Sequence, residues 1–151
     1  MNTASDHTVK VLNSLIETTL DSANGYKEAA ENAQSSQYSS MFADRAQRRA
    51  QLASELQQEV RTFGGEPEDD QSLMGKAHNK FVDLKNAVMG GHDDTAVIDE
   101  VERGEDFIKG KFEAALRDDE LPMDARQVVT RAAESIRADH DLISAMKHAR
   151  H

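Results

Sequence analysis

Four polar side chains interrupt otherwise apolar helical seams in this sequence: Thr19, Arg49, Glu105 and His140. A carboxylate and an imidazole at one level of a helical bundle are the raw material of a metal centre. Carboxylates bridge and neutralise two cations while imidazoles complete the coordination spheres. The usual set is a Glu from each of two helices and Glu-x-x-His from each of the other two. Here the side chains of ligand type in place are Glu102, Glu105 and His140, with Glu17 and Glu55 as neighbours that a rotation would bring in. The corresponding positions on the first and second helices hold Thr19 and Arg49; Leu52 follows Arg49 by three residues, and Arg137 precedes His140 by three. One reading is therefore an iron or manganese site on Glu102, Glu105 and His140. The other is a buried polar layer without a cofactor, in which Arg49 and Glu105 neutralise each other and Thr19 and His140 supply hydrogen bonds. Such a pair adds little net stability because desolvation offsets the attraction, yet removing one partner costs about 3–5 kcal/mol.

For these residues to share a level, long helices must run antiparallel. Val9, Leu12, Leu15, Ile16, Leu20, Ala23, Tyr26 and Ala30 recur at spacings of three and four, which predicts a helix over about 8–34 with Thr3, Ser5 and Asp6 as candidate caps. Phe42, Arg45, Arg49, Leu52, Leu56 and Val60 continue the pattern, predicting a second helix over about 37–63 that stops where Gly64 or Gly65 takes a left-handed cap. A shorter helix over about 73–89 follows. Asp93, Asp94 and Thr95 then cap a helix over about 95–117, and Pro122 starts the last, over about 122–148. No segment alternates with period two, so no sheet is predicted. The short breaks at Gln34–Ser36 and Asp118–Glu120 make two long antiparallel hairpins. Within them Thr19 and Arg49, and Glu105 and His140, fall within little more than a turn of each other, roughly 5 Å. The shorter helix with its loops can cross the bundle between the hairpins, the connectivity of ferritin-like bundles. A plain up-down array of five helices is the alternative.

Composition agrees with an all-α fold and narrows the function. The chain has 151 residues, one domain's worth. Its formal charge is −10, with 28 acidic against 18 basic side chains, which excludes the basic face of a nucleic-acid-binding domain. Without cysteine there are no disulfides, thiol nucleophiles or thiolate zinc sites. The first residues do not read as a secretory signal, and nowhere do about 18 apolar residues run together. A cytoplasmic protein that does not enter the membrane is the expectation.

The segments LNSLIETTLDSANGYKEAAE (12–31), LASELQQEVRTFGGEP (52–67), KAHNKFVDLK (76–85), ERGEDFIKGKFEAAL (102–116) and ADHDLI (138–143) carry a resemblance. They look like the bacterial ferritin-like four-helix-bundle family carried as a domain of unknown function. The resemblance implies a ferritin-like fold with a crossover helix and a stress-linked setting, and no established activity. A more distant similarity is to rubrerythrin. Carried across residue by residue, its iron-binding Glu and His of the second helix fall on Arg49 and Leu52, and the Glu of its first helix falls on Thr19. Glu105 and His140 match, with Arg137 where a further Glu would be. The resemblance therefore implies that peroxidase or ferroxidase activity has been lost.

Other signals read as ordinary surface or helix-packing features: His78 on the crossover helix, the Arg45, Arg48 and Arg49 group, the acids Glu28 and Glu31 near Tyr26, and the terminal His148 and His151. No phosphate-binding Gly-rich loop is present. Residues 1–151 are thus expected to form one ferritin-like bundle that assembles as a homo-oligomer, a dimer. Its expected role is non-enzymatic, structural or interaction-based, with a charge-paired layer in place of a metal pair. A metal-dependent redox or storage protein with an altered ligand set is the second reading.

Overall fold

A computed structural model describes residues 3–69 and 94–150, and all the regular structure among them is helical. The four helices are α1 (Thr3–Asn32), α2 (Ser36–Thr62), α3 (Thr95–Leu116) and α4 (Met123–Arg150). Their bounds lie close to those the periodicity predicts, except that α1 already includes Ser5 and Asp6. Asp6 consequently sits in the first turn, where a carboxylate favours the exposed N–H groups of the helix start. The expected crossover helix over about 73–89, with His78, lies outside the described residues. None of the described helices is long and apolar enough to cross a membrane.

Local chemistry sets the helix ends. Ser35 caps α2, its hydroxyl accepting the Tyr38 N–H. At the other end of α2, Gly64 takes the left-handed conformation at φ 80°. The Gly65 N–H then reaches back to the Val60 carbonyl at 3.0 Å, closing a Schellman-type stop. Asp94 stands at the N-cap position of α3, but its side chain does not cap that helix. Its buried carboxylate instead accepts the Gln34 and Ser35 N–H groups at 2.7 and 2.9 Å, satisfying the α1–α2 turn.

These contacts also fix the topology. The end of α1 meets the start of α3 through Asp94, and the start of α1 meets the end of α3 through His7 and Asp118. Helices α1 and α3 are therefore antiparallel. Gly65 packs against Val9, near the start of α1, whereas Asp94 lies at the far end, so the link from α2 to α3 spans the length of the bundle. This is the crossover connectivity of a ferritin-like four-helix bundle. The beginning of that link is docked by Asn13, which donates to the Glu66 carbonyl and accepts the Glu68 N–H, and by Gln57, which donates to the Glu68 carbonyl.

The apolar interior falls into two clusters. One, around Leu12, Ile16, Leu56, Ile108, Phe112 and Ile136, fills the end holding the α3–α4 turn. The other, around Tyr26, Phe42, Ile98, Val101 and Ile143, fills the opposite end. In the second, the Phe42 ring sits 6.0 Å from Tyr26 and 6.4 Å from Tyr38, a tilted aromatic trio.

Two glycines should respond oppositely to the same substitution. A Cβ at Gly65 would come within 2.7 Å of both Val9 methyls, so Gly65→Ala is expected to cost about 1–3 kcal/mol by overpacking, and less in a Val9→Ala background. Gly110, inside α3, has nothing within 4 Å of an added Cβ, so Gly110→Ala is expected to stabilise by about 1 kcal/mol. Urea denaturation of the four variants measures both effects.

Candidate functional site

Between the two apolar clusters lies a layer built around Arg49. A guanidinium reaches the centre of a bundle only when its hydrogen bonds and charge are met there, and all four helices contribute. Arg49 of α2 has no exposed side-chain surface, and its partner Glu105 of α3 is 1% exposed. Their contact is bidentate: Nη1 donates to Oε1 at 2.6 Å and Nη2 to Oε2 at 2.8 Å. Nη1 also donates to the Ser22 hydroxyl of α1 at 2.7 Å, and Nη2 to Asp139 Oδ2 of α4 at 3.2 Å. The guanidinium lies over the Tyr26 ring, 5.3 Å from its centroid. Cation and ring attract through the ring quadrupole, more strongly when desolvated.

A second arginine completes the charge balance. Arg45, one turn before Arg49, brings Nε within 3.0 Å of Asp139 Oδ1, off the line of a hydrogen bond but well within ion-pair range. Two arginines thus face two carboxylates. Burial alone would lower the Arg49 pKa, and the hydrogen bonds and charge of Glu105 overcome this, holding it above the ordinary arginine range. Burial, reinforced by the Glu105 charge, pushes the Tyr26 phenol well above its usual value. Among the described residues the Tyr26 hydroxyl has no aligned hydrogen-bond partner. Tyr26 borders a cavity of about 10 Å³ lined by Ser22, Gly25, Val101, Gly104 and Glu105, the room of a single water.

The structure places the sequence-selected residues unevenly. Arg49 and Glu105 meet at the centre. Thr19 is buried nearby, but its hydroxyl donates to the Leu15 carbonyl of its own helix, and Ser22 takes the contact with arginine. His140 is corrected outright: it is not a member of the buried layer. One residue round the helix from Asp139, it faces the bundle edge, with Nε2 2.6 Å from Asp106 Oδ1 and Nδ1 3.3 Å from Asp141 Oδ1. Glu102 is held by Lys147 at 2.8 Å. Glu17 is half-buried and Glu55 exposed. The trio Glu102, Glu105 and His140 is therefore dispersed over three separate ion pairs. A di-metal centre does not fit this set, because the guanidinium already occupies both oxygens of the central carboxylate and brings its own positive charge.

A family model described as a domain of unknown function, DUF2383, matches residues 7–118. No curated protein matches the chain. Among solved structures the chain is similar to a mutant of Dps1 from Mycobacterium smegmatis. The two share 11% sequence identity and a TM-score of 0.79, over 97% of this chain and 99% of that one. At that identity the likeness concerns the fold, and it agrees with the ferritin-like topology derived above.

Glu105→Gln removes the bidentate counter-charge of a buried guanidinium and leaves Arg45 and Arg49 facing Asp139 alone, with an expected loss of about 3–5 kcal/mol. Arg49→Met combined with Glu105→Leu should recover most of that loss, since apolar side chains replace a buried pair at little cost; chemical denaturation of both variants checks this. His140 carries a pH signature. Burial and Lys109 lower its pKa, while the hydrogen bonds to Asp106 and Asp141 raise it, and the net shift is upward from 6.5. A raised pKa stabilises the fold fully below the unfolded value and loses that effect as pH climbs through the folded value. The stability difference between wild type and His140→Gln should therefore be larger at about pH 6 than at about pH 8.5, by denaturation at each pH.

Proposed function

We propose, for a chain that belongs to the family of the domain of unknown function DUF2383, that the bundle serves as a non-enzymatic structural or interaction module. In this reading its central ion-pair layer stands where related bundles hold metal. The observation that carries it is the fully buried Arg49 guanidinium with Glu105 clasped in both of its forks. A cation entering this layer would have to displace a bidentate charge-assisted contact and sit beside a fixed positive charge. The sequence likeness to rubrerythrin supports the same direction, since the positions that would supply Glu and His on the second helix hold Arg49 and Leu52.

The partner in this reading is a second copy of the chain, and the setting is a cytoplasmic, stress-linked one. Met123, Phe107 and Leu142 are the large apolar side chains that the described surface exposes, and they support association. Equilibrium sedimentation of the full chain gives its mass in solution, with the dimer expected and the monomer the contrary result.

Aerobic addition of Fe(II) tests the central claim. Oxidation is expected to run no faster than in protein-free buffer, and protein purified without chelator is expected to carry no iron or manganese whose retention depends on Glu105. Accelerated oxidation that Glu105→Gln abolishes, or stoichiometric iron or manganese lost on Glu105→Gln, would establish the redox or storage reading instead.

A further inference from the structure

At the bundle end opposite the α1–α2 turn, His7 of α1 meets the α3–α4 turn. Its Nε2 lies 2.7 Å from Asp118 Oδ2 and 3.5 Å from Glu120 Oε2, and one ligand atom from each of the three residues can be chosen so that all lie within 4.8 Å of one another. They come from segments more than a hundred residues apart, joined only by the fold. The turn is held from behind: Asp118 Oδ1 accepts the Glu120 N–H at 2.9 Å, which orients Oδ2 toward the imidazole. Arg126 spends its guanidinium on the carbonyls of Leu116 and Asp118. These contacts fix the conformation of the turn that presents Asp118 to His7.

We propose that His7, Asp118 and Glu120 bind one first-row divalent transition-metal ion, clamping the start of α1 to the α3–α4 turn. The geometry is close to what such an ion needs. Bonds of 2.0–2.2 Å in a tetrahedral centre set ligand atoms about 3.4 Å apart. The His7–Glu120 separation already has nearly that value, and the His7–Asp118 separation must open by several tenths of an ångström. Glu120, 74% exposed, and His7, 35% exposed, have room to do so. One imidazole with two carboxylates suits zinc, iron, nickel or copper, whereas calcium and magnesium prefer oxygen alone. With Glu120 74% exposed, the site lies at the surface, and a fourth ligand would be water.

The site is separate from the Arg49 layer, so either claim stands or falls without the other. Isothermal titration of the metal-free full chain with Zn²⁺ is expected to give one equivalent of saturable binding and a rise in Tm, with Mg²⁺ giving neither. His7→Ala and Asp118→Asn should each weaken Zn²⁺ binding at least about tenfold, while a His148→Ala/His151→Ala variant should retain it. Nitrogen-detected imidazole spectra should show the His7 resonance shifting with the same stoichiometry. Absence of saturable binding, binding unchanged by His7→Ala, or binding lost with the C-terminal histidines would overturn the proposal.

Discussion

The bidentate contact between Arg49 and Glu105 is the constraint around which the rest of the bundle is arranged. Apolar helix faces tolerate sliding and rotation, since one Leu or Ile contact resembles the next. A buried guanidinium does not, because every displaced hydrogen bond leaves a desolvated polar group at a cost of about 1–3 kcal/mol, and more where charge is involved. Ser22 and Tyr26 on α1, Glu105 on α3 and Asp139 on α4 are each required at a defined height relative to Arg49. The layer therefore contributes register more than net stability, and it divides the apolar interior into the two clusters on either side of it.

Polar contacts at both ends repeat that logic. Asp94 ties the α1–α2 turn to the start of α3, and His7 ties the start of α1 to the turn after α3. With the Arg49 layer between them, the α1–α3 contact is pinned at three heights. This compensates for an asymmetry in the chain: each hairpin is held by a short turn, while its partner is reached only through the long crossover. Neither end contact is a conventional helix cap. Asp94 occupies a cap position yet spends its carboxylate across the hairpin boundary, where two N–H groups would otherwise lack acceptors.

The hairpins, their lengths and the crossover were legible in the sequence because three- and four-residue spacing, Gly64–Gly65 and Pro122 each report a local preference. So was the central pair, as the polar residues in two apolar seams carry opposite charges. Its remaining partners were not, for two physical reasons. A helical side chain leans toward the N-terminus of its own helix, so the head of Arg49 sits nearer the α1–α2 turn than its backbone does. Antiparallel pairing about the 35/36 turn already sets position 22 opposite Arg49, whereas the polar residue of the apolar seam, Thr19, lies three residues off that level; the guanidinium meets Ser22 and Tyr26. On α4, Asp139 and His140 lie three and four residues after Ile136, and both spacings suit a buried face. Choosing the imidazole followed the metal pattern; choosing the counter-charge of an arginine would have selected Asp139. The His7 cluster carries no signal in sequence, because its members share neither a helix nor a spacing.

Charge neutrality of the centre separates this bundle from the metal-bearing arrangement in a way that bears on folding itself. A di-metal layer built from four Glu side chains holds several like charges when empty and depends on cations to offset them. Here Arg45 and Arg49 face Glu105 and Asp139, and the layer is balanced by the chain alone. A substitution that introduced a carboxylate at position 49 would reverse the sign of that position. The centre would then set three carboxylates, at 49, 105 and 139, against Arg45, an unbalanced core. The overall charge of −10 does not bear on this, since it lies mostly on solvated faces and turns, where excess acid favours solubility and leaves the interior balance untouched.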